Sequence, residues 1–79
     1  MPRVANVTYV VRFDPTRGKF IALDEEGNLL GVDLSRNMTI GSAYGAAIRA
    51  SLKDGVRVTI MVEDEKGRRK RERVVEPPP

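Results

Sequence analysis

Between Val4 and Phe13 the chain alternates. Val7, Tyr9, Val11 and Phe13 fall on one face, and Asn6, Thr8 and Arg12 on the other. That period of two predicts a half-buried strand. Asp14-Pro15-Thr16-Arg17-Gly18 breaks the run as a turn, with proline and glycine both present. Lys19 to Leu23 reads as a second short strand, and Asp24-Glu25-Glu26-Gly27-Asn28 as the next turn. Leu30, Val32 and Leu34 then alternate with Leu29, Gly31 and Asp33 as a third strand. Turns this short leave no room for a crossover helix, so the three strands form an antiparallel meander.

The period then changes. Ile40, Tyr44, Ala47, Ile48, Ser51 and Leu52 recur at helical spacing, with Arg49 and Lys53 opposite. Thr39 or Asn37 can cap the start, and Gly55 is placed to end the helix. Ala43, Ala46, Ala47 and Ala50 keep it thin, so it can lie close on a sheet. Gly41 and Gly45 each weaken it by about 1 kcal/mol relative to alanine. They flank the apolar stripe beside Ile48 and Leu52, where another backbone could approach. Val56, Val58, Ile60 and Val62 alternate with Arg57, Thr59, Met61 and Glu63 as a fourth strand, and a turn at Glu65-Lys66-Gly67 leads into a fifth from Arg68 to Val75.

The fold this predicts is α+β, an antiparallel sheet of about five strands with one helix packed on one face, in the order β-β-β-α-β-β. Val7, Tyr9, Val11, Phe13, Leu30, Val32, Tyr44, Ala47, Ile48, Val58 and Ile60 are the expected core. Residues 1–76 make one domain, and Pro77-Pro78-Pro79 an extended tail that cannot join a sheet ladder. A meander, an alanine-bearing helix opening near Thr39, a glycine at its end (Gly55), and a hairpin turning on Gly67 into arginines resemble a small bacterial family of domains of unknown function. The likeness covers most of the chain in element order. That family's tryptophan in the meander and aromatic close of the last strand are missing here. The resemblance implies the fold and brings no activity or site with it.

Composition narrows the chemistry. Seventy-nine residues hold one core and no second domain. The chain has neither histidine nor cysteine, which removes Ser-His-Asp and Cys-His catalysis, the usual zinc sites, and haem or iron–sulfur ligation through those residues. No phosphate-binding glycine motif occurs. No apolar run approaches the ~20 residues that span a bilayer, and Met1-Pro2-Arg3-Val4 does not open a signal peptide. The expectation is a cytoplasmic, non-enzymatic protein without metal or cofactor. The segment Asp24 to Asn28 resembles part of a calcium loop, but its glycine falls too early and Ser35 stands where the closing glutamate belongs. Glu63-Asp64-Glu65 is contiguous, so its side chains alternate faces and do not converge on one cleft.

The net charge of +3 is uneven. Five basic and five acidic residues lie between Met1 and Ile40, and nine basic and six acidic between Gly41 and Pro79. Lys66, Arg68, Arg69, Lys70, Arg71 and Arg73 crowd into one segment opposed by Glu72 alone, an electrostatic footprint for nucleic acid or another polyanion. A solvated edge strand explains the same charges, since they also guard against edge-to-edge aggregation. A two-residue turn would set Glu65, Asp64 and Glu63 opposite Arg68, Arg69 and Lys70. A three-residue turn with a glycine bulge pairs Asp64 with Arg68 and Glu63 with Arg69 instead. Thr39, Gly41 and Ser42 at the helix start could hold an anion, although ordinary capping accounts for such residues. The reading is therefore a small binding module contacting nucleic acid through its basic hairpin. The alternative is a structural protein that forms a homodimer through a sheet edge or the glycine-flanked helix.

Overall fold

The computed structural model describes residues 4–79; residues 1–3, counted above with the domain, lie outside the described residues. Five strands and one helix follow the expected order: β1 (Asn6–Asp14), β2 (Lys19–Leu23), β3 (Leu29–Asp33), α1 (Arg36–Asp54), β4 (Arg57–Glu63) and β5 (Arg69–Val75). The sheet runs β3-β2-β1-β4-β5. Three of its pairings are antiparallel, and the fourth, β1 with β4, is parallel. The direction follows from the connections. The meander ends with β3 running like β1, α1 carries the chain back over the sheet, and β4 therefore sets out again alongside β1.

Val7, Tyr9 and Val11 of β1, Ala22 of β2, and Val58 and Ile60 of β4 meet Ala43 and Ala47 of α1 in one core. The helix does lie close. A Cβ on Gly31 would stand 2.6 Å from the Cβ of Ser42, so β3 passes α1 at a distance only glycine permits.

The buried stripe of α1 is Thr39, Ala43, Ala47 and Ser51, turned by about one residue from the expected one. Leu52 is exposed, and Ile48 is only partly covered. Small side chains occupy the centre because larger ones would hold the helix off the sheet. The two buried hydroxyls stay satisfied within α1, Thr39 donating to the Ser35 carbonyl at 2.9 Å and Ser51 to the Ile48 carbonyl at 3.0 Å. That commitment corrects the expected N-cap. Ser35 caps α1, its Oγ accepting from the Met38 amide at 3.3 Å, while Thr39 and Asn37 lie inside the first turns. Gly55 ends the helix as expected.

Two expected core residues are exposed. Phe13 is 47% exposed at the end of β1, with its ring edge-on to Phe20 at 5.4 Å. Val32 is 38% exposed because a bulge re-phases β3: Ala22 faces Gly31, but Leu23 faces Leu29. The extra residue, Leu30, packs on the core, and Val32 joins Ile21 on the side of the sheet away from α1.

Candidate nucleic-acid interface

The hairpin between β4 and β5 is built by one aspartate. Asp64 donates its amide to the Arg68 carbonyl at 2.8 Å, and the Gly67 amide returns to the Asp64 carbonyl at 3.0 Å. Gly67 sits at φ 79°, the left-handed conformation that closes a three-residue loop with a glycine bulge. The Asp64 carboxylate accepts from the amides of Lys66 and Arg68, both at 2.9 Å, and from Arg68 Nε at 3.0 Å. Of the two registers open in the sequence, the fold takes the one that pairs Asp64 with Arg68 and Glu63 with Arg69, the latter at 3.1 Å.

Asp24 repeats the device in the β2–β3 turn, accepting from the amides of Glu26 and Asn28. Asp14 does the same before Gly18, taking the Thr16 amide and the Arg17 guanidinium. Each carboxyl is held below the ordinary value of 3.8 by the donors of its ionised form. The leading donor is the Arg68 amide for Asp64, the Asn28 side chain for Asp24 and the Arg17 side chain for Asp14. A carboxyl whose pKa falls on folding contributes stability that is complete above its unfolded value and lost as pH drops through the lowered one. Denaturant midpoints should hold steady down to about pH 5 and fall below about pH 4. With Asp64→Asn and Asp24→Asn together, that acid-side fall should be shallower.

These pairings sort the six basic residues of the hairpin. Arg68 and Arg69 are engaged by Asp64 and Glu63. Arg73 lies over the Tyr44 ring at 4.4 Å, tying β5 to α1 by a cation–π contact. Lys66, Lys70 and Arg71 enter none of the ion pairs among the described residues. The register splits the strand: Lys70 pairs with Val62 on the side of α1, and Arg71 with Met61 on the opposite side. A bulge between Ile60 and Met61 leaves Glu72 without a partner across the ladder. β5 has no neighbour beyond it, as its charges on both faces require.

Topology then adds a cation. α1 starts at the same end of the sheet where β4 turns into β5, and the two enclose a cleft of about 350 Å³. Arg36, Asn37 and Ile40 form one wall, Val62 and Asp64 the floor, and Arg68, Arg69, Lys70 and Glu72 the other wall. The Arg36 guanidinium is steadied 5.6 Å from the centre of the Phe20 ring. The anion residues expected at the helix start are not brought here. Thr39 has both its amide and its hydroxyl on the Ser35 carbonyl, the Ser42 hydroxyl donates to the Met38 carbonyl, and Gly41 and Ser42 lie along a shallow groove beside Leu30. Because α1 begins at Arg36, its first amides belong to Arg36 and Asn37, both lining the cleft.

The opposite end of the molecule is acidic. Asp24, Glu25, Glu26 and Asp54 surround a hollow beside Tyr9, whose hydroxyl is pushed above its usual pKa by burial and then by Asp24 and Asp54, against an opposing effect of Arg49. Lys53 in the last turn of α1 and Arg57, paired with Glu76, belong to the same end, and Arg69 lines a hollow with Asp24 and Glu25. No group of three or more acidic side chains that could hold a metal ion occurs among the described residues, and no helix among them is long and apolar enough to cross a membrane. No protein-family model, curated protein or solved structure matches this chain.

Proposed function

We propose that this is a non-enzymatic binding module that engages the phosphate backbone of nucleic acid with the β4–β5 hairpin and the cleft beside it. The observation that carries the reading is the survival of Lys66, Lys70 and Arg71 as unengaged cations after the hairpin's own acids have taken Arg68 and Arg69. Arg36, on the far wall of the cleft, extends the same surface onto α1. Backbone contact without base readout fits the aromatics. Tyr9 and Tyr44 pack in or against the core and Phe20 lies edge-on to Phe13, which leaves Phe13 alone, 47% exposed, with a ring partly open to a base.

Engagement of three to four phosphates predicts that log K for a short oligonucleotide falls against log salt with a slope of roughly −2 to −4. Fluorescence anisotropy on a single strand and a duplex reads it. No binding at about 50 mM salt would remove the proposal.

The self-association reading draws on α1, where Met38 and Leu52 are 61% and 67% exposed on either side of the open surface at Gly41. Sedimentation tests it apart from binding: a strict monomer at high concentration removes the self-association reading and leaves the first untouched.

A further inference from the structure

The helix stops short of one end of the sheet. α1 begins at Arg36, and past that point Phe13 of β1 and Phe20 of β2 stand opposite each other, on the face that α1 covers further along at Val11 and Ala22. The Arg36 guanidinium lies over the Phe20 ring. Phe13 meets Phe20 edge-to-face and remains 47% exposed. Continuing the β1–β4 register two residues past Val11 and Val62 brings Phe13 beside Asp64, and the two line one hollow of about 400 Å³ with Arg12, Pro15 and Glu65. Asp64 also lines the cationic cleft, where it pairs with Arg68. From β2 to β5 this end of the sheet therefore reads ring, ring, carboxylate, guanidinium. Strands about 4.8 Å apart set Phe13 roughly 10 Å from the backbone of β5, a span that a nucleotide or two bridges.

We infer that Phe13 stacks an unpaired base, so that the partner of the hairpin is a single strand. This rests on the phosphate-binding reading above and narrows its ligand. Charge divides the surface in two. The carboxylates of Glu63, Asp64 and Glu65 line the hollow at Phe13 and keep phosphate out of it. Arg36, Arg68 and Lys70 line the adjoining cleft, where phosphate is drawn. A strand that lays its phosphates in the cleft brings a base, not a phosphate, over the ring. Inside a duplex both faces of a base are covered by its neighbours, and taking it out costs unstacking and unpairing. Stacking on one ring tolerates any sequence, because every base has a π-face.

The test compares three ligands of one length by fluorescence anisotropy: a single strand, the same strand made abasic throughout, and a duplex. Charge density alone favours the duplex. The single strand should instead bind about tenfold more tightly than the abasic strand, which carries the same phosphates, and more tightly than the duplex. Phe13→Leu keeps an apolar side chain against Phe20 and should bring the single strand down to the abasic affinity. The chain has no tryptophan, so Phe13→Trp supplies one reporter at the site, whose emission the single strand should quench and the abasic strand should not. Equal binding of the strand and its abasic counterpart, preference for the duplex, or an unquenched indole under saturating strand overturns the inference and leaves the phosphate-binding hairpin standing. Absence of binding by all three at about 50 mM salt overturns both.

Discussion

Replacing Gly31 by alanine should cost about 2 kcal/mol of folding stability, near the middle of the range for inserting one methyl into a packed contact. A domain of this size loses about 4–8 °C of melting temperature per kcal/mol, so the drop should be plain in a thermal scan. The cause is local. The new Cβ would sit 2.6 Å from the Ser42 Cβ, which is fixed to the backbone of α1 and cannot swing away. Either β3 leaves its ladder with β2 or α1 rises from the sheet, and the second choice opens the contacts of Ala43 and Ala47. The double variant Gly31→Ala with Ser42→Gly removes the clash. It should recover most of the loss, less about 1 kcal/mol for a glycine inside a helix. A Gly31→Ala protein as stable as the parent would mean that α1 rides higher on the sheet than described.

The second large effect falls on binding. Lys70→Glu combined with Arg36→Glu turns both walls of the cleft acidic. At low salt the affinity for an oligonucleotide should fall by at least about tenfold, and the salt slope should flatten by about one for each phosphate contact removed. Thermal stability should fall by no more than about 1 kcal/mol, because both side chains lie on exposed positions outside the ion pairs and Arg36 gives up only its contact with the Phe20 ring. Lys53→Glu at the C-terminal end of α1 changes net charge by as much as either cleft substitution alone and should leave affinity nearly unchanged. Equal losses from Lys53→Glu and from a cleft substitution would show that net charge alone attracts the polyanion.

The sequence carried the fold further than the site, and particular residues show why. Alternation fixed the phase of β1 and β4, so Val7, Tyr9, Val11, Val58 and Ile60 are all in the core or against it. The turn at Gly67 was legible but left two registers open, between which the Asp64 hydrogen bonds decide, and charges on both faces marked β5 as an edge. Val32 was misplaced because one bulge inverts everything after it, and a bulge between two leucines leaves no trace in hydropathy. The stripe of α1 was rotated because alanine, serine and threonine fill its centre, and apolar counting passes over such residues. Phe13 lies at the strand end, where periodicity says nothing about cover. For the site, the basic run was visible, but its division was not. Which cations remain free depends on the hairpin register, and Arg36 joins only because the helix start and the β4–β5 turn share one end of the sheet. The Asp33 carboxylate, which accepts the Ser35 amide at 3.0 Å, and the Ser35 cap were the available signals that α1 starts at Arg36.

The most direct measurement is a backbone-amide chemical-shift map of the labelled protein titrated with a short oligonucleotide. Shifts should gather at Arg36, Asn37 and the stretch from Lys66 to Arg71, while Asp24 to Gly27 and the C-terminal turn of α1 stay still. Changes spread along Gly41, Gly45 and Leu52, or no change at low salt, would contradict a cationic hairpin that grips phosphate.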